Sequence, residues 1–410
     1  MSEGNERTDE RTDERTVEGN DEGTDEGTVL ELADLSFDQL EIKENLLRGI
    51  YAYGFEKPSV IQHKAIPFLT SGKDVIAQAQ SGTGKTGAFS IGSLHNVDED
   101  QKDTQVIILS PTRELADQTF KVVQELSSYT KITSCKMVGG TRVQDGIADL
   151  RKIPHVVVGT PGRILDMLQK KHLFTGKLKM VVIDEADEML SQGFQDMIYQ
   201  IFKFVPKETQ VGLFSATFTD DLLELSNQFM NNPEQILVKK ESLTLEGISQ
   251  YFINVKHHQW KYDVLTDIYN TINISQCIIY INSKNRLQQI YQALNDDNFP
   301  VGMIHGNLMT NEREQIMNQF RQGDIRILLS TDLLSRGIDV QQLSLVINYD
   351  LPIQKETYIH RIGRSGRYGR KGVAINFVTD RDIQDLHELQ SFYNTKIDEM
   401  PQNIADIISV

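Results

Sequence analysis

The stretch Asp74-Val75-Ile76-Ala77-Gln78-Ala79-Gln80-Ser81-Gly82-Thr83-Gly84-Lys85-Thr86 decides how this chain folds. Its apolar start reads as a buried strand, its glycines as a tight loop, and the residues beyond as the start of a helix. Gly82 and Gly84 let the backbone turn its N–H groups inward, while the helix presents its positive end to an anion. Lys85 is placed to neutralise terminal phosphate oxygens, and Thr86 offers a hydroxyl to Mg²⁺. The phosphate-loop pattern is met except at its first glycine, which is Ala79 here. Ala79, Gln80, Ser81, Gly82, Thr83, Gly84, Lys85 and Thr86 are therefore the candidate nucleotide-binding residues.

Outward from this loop the chain alternates short apolar runs with amphipathic stretches. In the first half the further runs are 105–110, 155–160, 179–184 and 210–216. In the second half they are 276–282, 301–306, 325–331, 343–349 and 373–378. Runs of this length between helical patterns indicate parallel strands covered on both faces by crossover helices. The fold class is α/β, with two tandem domains, each a mostly parallel sheet flanked by helices, joined by a flexible linker. The expected boundaries are a tail over 1–34, a first domain over 35–238, a linker and lead-in over 239–255, and a second domain over 256–410.

Composition narrows the function classes. The chain has 410 residues, 39% apolar and 24% charged, which suits a globular protein of two domains. No apolar run reaches the roughly 18 residues needed to span a bilayer, and the start lacks a secretory pattern. Two cysteines, Cys135 and Cys277, each inside an apolar stretch, read as buried thiols in a reducing compartment. Cytoplasm is the expected location, with the nucleus as the alternative. The formal charge of −16 is unevenly spread, because residues 1–34 hold 13 acidic and 3 basic side chains. A segment so charged and so poor in apolar residues is expected to be a disordered acidic tail.

A second cluster lies in Val181-Val182-Ile183-Asp184-Glu185-Ala186-Asp187-Glu188. Carboxylates directly behind a buried strand need a positive partner. In an open parallel sheet, strand ends face the ligand crevice, so Asp184 is expected to hold Mg²⁺ beside the phosphate loop. Glu185 can then position or deprotonate the attacking water. Asp187 is left to bridge to another motif.

With these stretches the chain resembles the DEAD-box RNA helicases over roughly residues 37 to 410, and further motifs agree. Gly54-Phe55-Glu56-Lys57-Pro58-Ser59-Val60-Ile61-Gln62 is similar to the adenine-reading motif of that family, with Phe37 upstream. The resemblance implies that Gln62 reads the adenine edge and Phe55 stacks on the ring. Pro111-Thr112-Arg113, Gly139-Gly140 and Thr160-Pro161-Gly162-Arg163 match segments that line the RNA path in the family. Ser215-Ala216-Thr217 matches the motif linking ATP state to RNA state, through hydrogen bonds that reach Asp187.

The second half resembles the family too. Ser330-Thr331-Asp332 through Gly337-Ile338-Asp339 matches a motif that meets both RNA backbone and ATP ribose, implying nucleotide roles for Gly337 and Asp339 and an RNA role for Thr331. His360-Arg361-Ile362-Gly363-Arg364-Ser365-Gly366-Arg367 matches the arginine-finger motif, with Arg364 and Arg367 at the γ-phosphate and His360 as an interdomain contact. A helix carrying residues 364 and 367 would put both on one face. Asn282, Gly306 and Arg313 complete the implied RNA set. Ser283 and Asn307 depart from the usual Thr and Asp, and Asn307 leaves its local hydrogen bond in question.

The resemblance implies two tandem RecA-like domains that close over ATP and Mg²⁺. Lys85, Asp184, Glu185, Arg364 and Arg367 are then the catalytic set. Single-stranded or partly duplex RNA would be gripped by its backbone. Stretches such as the one ending the chain, IDEMPQNIADII, place it nearest the branch acting in translation initiation. Expected partners are RNA and scaffold or regulatory proteins of an initiation-type complex, around a monomeric core and without a membrane. An ATP-locked RNA clamp with little turnover is the alternative, and a DNA helicase or a non-helicase phosphate-loop ATPase is disfavoured by Gln62 and Ser215-Ala216-Thr217.

Overall fold

The computed structural model describes residues 36–80, 82–191, 193–237, 248–271, 274–332, 343–365 and 372–401. The acidic tail, Ser81, Gly337, Asp339 and Arg367 lie outside the described residues.

The first half builds a sheet from β1 (Val75–Gln78), β2 (Val106–Leu109), β3 (Ser134–Met137), β4 (Val156–Gly159), β5 (Met180–Asp184), β6 (Gln210–Ser215) and β7 (Glu234–Ile236). Their order is β3-β4-β2-β5-β6-β1-β7, and every neighbouring pair is parallel. The second half builds a like sheet from β8 (Ile248–Lys256), β9 (Cys277–Tyr280), β10 (Val301–Ile304), β11 (Ile327–Ser330), β12 (Leu345–Asn348), β13 (Gly372–Thr379) and β14 (Asp398–Glu399). Its order is β10-β11-β9-β12-β13-β8-β14, again parallel throughout.

Why the strands read as unbroken apolar runs is visible in the packing. Successive strand residues point to opposite faces. Val75, Ala77, Val106, Ile108, Met180 and Val182 enter one core, while Ile76, Ile107, Leu109, Val181 and Ile183 enter another on the far side. The second sheet repeats this, with Cys277 and Ile279 on one face and Ile278 and Tyr280 on the other.

Each of the ten apolar runs contains a strand. Four strands escaped the sequence reading. Three of them, β3, β7 and β14, lie at sheet edges. The fourth, β8, starts at Ile248, inside the segment expected as linker and lead-in, and pairs with β13 along its length. Most of its residues are half-buried, with Gln250 and Val255 the buried ones, so it gives no continuous apolar run.

Parallel strands place all their carboxyl ends on one edge. There the sequence motifs emerge together, since β5 and β1 both flank β6, with Asp184 opposite Phe214 and Gln78 opposite Ser215.

Candidate nucleotide and RNA site

The phosphate loop leaves β1 with Ala79 donating its N–H to Ser215 O at 3.0 Å. Gly84 closes the loop at φ 104°, a left-handed conformation that favours glycine, just before the helix Lys85–Asn96. A Cβ there would come within 2.7 Å of Ser59 Oγ and 2.9 Å of Gln62 Nε2. The Lys85 side chain is buried, and its Nζ makes no hydrogen bond among the described residues. Its ion-pair contact is Glu185 Oε2, 3.8 Å away.

Glu185 itself adopts φ 51° and ψ 56°. A left-handed glutamate is uncommon, and such backbone is held only where the surroundings impose it. This turn ends β5 at Asp184 and starts the short helix Ala186–Met189. Asp184 Oδ1 accepts from Glu185 N at 3.0 Å. Burial, and then the Glu185 carboxylate, push the Asp184 carboxyl up to about 7, against the pull of Lys85. Both side chains of the pair are buried, 3% exposed each, with Lys85 Nζ 3.8 Å from Glu185.

Gln62 sits on the helix Val60–Thr70, whose first turn Ser59 caps. Its carboxamide accepts from Ser59 N at 2.8 Å and donates to Gly84 O at 3.3 Å, so it braces the phosphate loop. One N–H and one lone pair of that amide remain for a ligand. Phe55 stacks on Phe37 with centroids 6.2 Å apart, and Tyr53 meets it edge-on at 4.7 Å. Gly87 was missed by the sequence reading. A Cβ there would lie 2.4 Å from Gln62 Nε2 and 3.0 Å from the Phe55 ring.

The expected RNA residues do not all meet in one place. Pro111, Thr112, Arg113, Thr160, Pro161, Gly162, Arg163, Gly306 and Arg313 line one cleft of about 540 Å³, together with Phe194 and Met197, which sequence reading missed. Gly140 lies behind it, close against Arg113. Arg163 is turned inward, bonding Thr141 Oγ1 at 3.2 Å and Thr141 O at 2.9 Å. Arg313 reaches across to the first half, where Glu114 Oε1 accepts from its Nη1 at 2.7 Å. Asn282 and Thr331 are not part of this cleft's lining. The Asn282 side chain is taken up within the second half, accepting from Arg361 and donating to Leu351 O at 2.7 Å. Asn307 keeps a local hydrogen bond without a second charge, because Lys284 Nζ donates to its Oδ1 at 2.9 Å.

On the nucleotide side, Asp187 Oδ2 accepts from Thr217 Oγ1 at 2.6 Å and lies 3.0 Å from His360 Nε2 of the second half. Ser215 Oγ accepts from Thr217 N at 3.3 Å. Arg364 is buried, with its Nε donating to His360 O at 3.3 Å. It does not stand on a helix, because the helix Lys355–Ile362 ends before it and Ser365 forms a β-bridge to Leu343. The shared helical face expected for residues 364 and 367 is thus not formed at Arg364, since the turn beyond Gly363 leads directly into that bridge.

Residues 59–225 match the DEAD/DEAH box helicase family model, and residues 260–369 match the helicase conserved C-terminal domain. The Eukaryotic initiation factor 4A of Caenorhabditis elegans is 53% identical over 373 residues, covering 91% of this chain and 93% of that protein. This chain belongs to the DEAD-box helicases. The ATP-dependent RNA helicase eIF4A of Meyerozyma guilliermondii is 52% identical, covering 91% of this chain and 94% of that protein.

Solved structures are similar over nearly the same length. A Saccharomyces cerevisiae Dbp5 variant bound to RNA and ADP BeF3 matches with a TM-score of 0.85 at 39% identity, covering 91% of this chain and 97% of that one. A variant of the same protein bound to Gle1 and IP6 matches at 0.72 and 38% identity, covering 92% and 98%.

Proposed function

We propose that this helicase couples ATP hydrolysis to local, non-processive separation of RNA strands in translation initiation. As a family member it is an ATP-dependent RNA helicase, with ATP hydrolysis as its reaction. The observation that carries the coupling is Asp187, which bonds Thr217 of its own domain while meeting His360 of the other. Anything that orders the nucleotide side therefore bears on whether the two domains stay together.

Asp184 and Thr86 supply hard oxygen donors, and the buried Asp184 carboxyl has a second carboxylate, Glu185, beside it, so these residues fit Mg²⁺. When bound, the ion withdraws charge from the phosphate oxygens. The chain's own residues do the rest. The loop N–H groups and Lys85 hold the phosphates, Gln62 and Phe55 hold the base, and Glu185 orients the attacking water and draws its proton. Arg364, with Arg367, comes from the second domain to the terminal phosphate, which makes hydrolysis depend on closure. Such an arginine contributes roughly 10³–10⁵ in rate.

The cleft joining Thr112, Arg113, Gly162, Gly306 and Arg313 is the proposed RNA path. Residues of both domains line it, so a strand held there is gripped by its backbone and released as the domains part. Scaffold proteins of an initiation complex are the proposed partners, and the cytoplasm the proposed location. Steady-state ATPase with and without single-stranded RNA tests the reading. Stimulation that disappears in Lys85→Ala and Arg364→Ala supports it, and equal rates with and without RNA overturn it.

A further inference from the structure

We infer that Arg361 is the positioning residue that ties the arginine-bearing turn of the second domain to its RNA-side strand ends, touching neither ligand itself. This rests on the helicase reading above and deepens it.

Arg361 is fully buried on the helix Lys355–Ile362. Its Nε donates to Asp332 Oδ1 at 2.6 Å and its Nη2 to Asn282 Oδ1 at 2.6 Å. Its Nη1 is shared between Asp350 O at 2.7 Å and Asn348 Oδ1 at 3.3 Å. The guanidinium also lies over the Tyr280 ring, 5.2 Å from its centroid. One side chain thus gathers the carboxyl ends of β9, β11 and β12.

The chemistry is specific to arginine. A planar fork with five donors can serve four acceptors in fixed directions, which a lysine point charge cannot. Burying such a charge is costly, and an apolar side chain would fill the space with less penalty. Stability alone therefore does not account for it. Asp332 precedes the segment holding Gly337 and Asp339, and Asn282 and Thr331 were expected on the RNA side. The Asn282 backbone N–H donates to Asp350 Oδ2 at 3.1 Å, closing the network on itself. At the other end of the helix turn, His360 O receives Arg364 Nε, and His360 meets Asp187 of the first domain. A shift of these strand ends is passed by Arg361 to the helix that carries His360 and to Arg364 in the turn just beyond it.

The test is the stimulation ratio, RNA-stimulated over RNA-free ATPase rate, in Arg361→Lys, Asn282→Ala and the double variant, with thermal melts alongside. A merely structural loss lowers both rates together and leaves the ratio unchanged. The expected result is a ratio reduced about tenfold in each single variant, with the double variant no worse than the lower single. Ratios at the wild-type value, or losses that multiply as if independent, overturn the inference. Should Arg361→Lys fail to fold, the ratio in Asn282→Ala and in Asn348→Ala decides on the same terms. A wild-type enzyme unmoved by RNA would instead sink the helicase reading itself, which separates the two failures.

Discussion

Arg313 of the second domain and Glu114 of the first form a 2.7 Å ion pair, with side chains 6% and 21% exposed, at the lip of the cleft proposed for RNA. A pair so nearly shielded from water is screened little and couples strongly. Exchanging the two charges in Glu114→Arg/Arg313→Glu tests it. Each single change is expected to weaken RNA binding in the presence of a non-hydrolysable ATP analogue by about tenfold or more. The exchange should recover part of that loss, as read by fluorescence anisotropy of a labelled single strand.

The Asp187–His360 contact predicts a different signature. His360→Ala removes a partner from Asp187 without touching the phosphate loop or the cleft. RNA-stimulated turnover is expected to fall about tenfold, while ATP affinity of the RNA-free protein changes little, measured by nucleotide titration beside steady-state rates.

Gly87 offers a test of the base pocket. A methyl group at this position meets the Gln62 amide and the Phe55 ring. Gln62 cannot move aside without breaking its bond to Gly84 O. Gly87→Ala is expected to raise KM for ATP several-fold at nearly constant kcat. Equal KM values for the two proteins would show that the amide yields.

The thiols give a chemical check on the cores. Burial pushes both Cys135 and Cys277 up to about 12, and neither forms a disulfide. Neither is expected to react with iodoacetamide at pH 8 until the fold is opened by denaturant, as followed by mass spectrometry.

Acid stability should show the buried imidazoles. Burial holds His155 and His95 below their ordinary value. His155 Nδ1 accepts from Thr133 N at 3.0 Å, a bond that protonation there would break. The unfolded chain then takes up protons first, so the stabilisation is complete above the ordinary value of about 6.5 and is lost as pH falls through it. Thermal midpoints should drop between pH 7 and pH 5, with a shallower slope in His155→Asn.

Much of the site was legible because its residues are contiguous. The phosphate loop and Asp184-Glu185-Ala186-Asp187 each carry their chemistry in one short run behind one strand. Roles set by distant partners were not legible in this way. Arg361 reads as one basic residue among several until its fork is seen to hold Asn282 and Asp332. Gly87 looks like an ordinary helix position until Phe55 and Gln62 are packed on it. The ties of the Asn282 side chain to Arg361 and to Leu351 O are equally invisible in the sequence. Of the strands, β3 shows an alternating half-buried pattern and β7 has no fully buried residue. Neither produces the unbroken apolar run that marks a central strand.

Two pairs that join the domains among the described residues, Glu114 with Arg313 and Asp187 with His360, are side chain to side chain, whereas each sheet is knit by continuous backbone ladders. Under mechanical load the molecule has a built-in order of yielding. Tension across the two halves reaches the seam first, so the protein should lengthen in one small reversible step before either ladder is sheared.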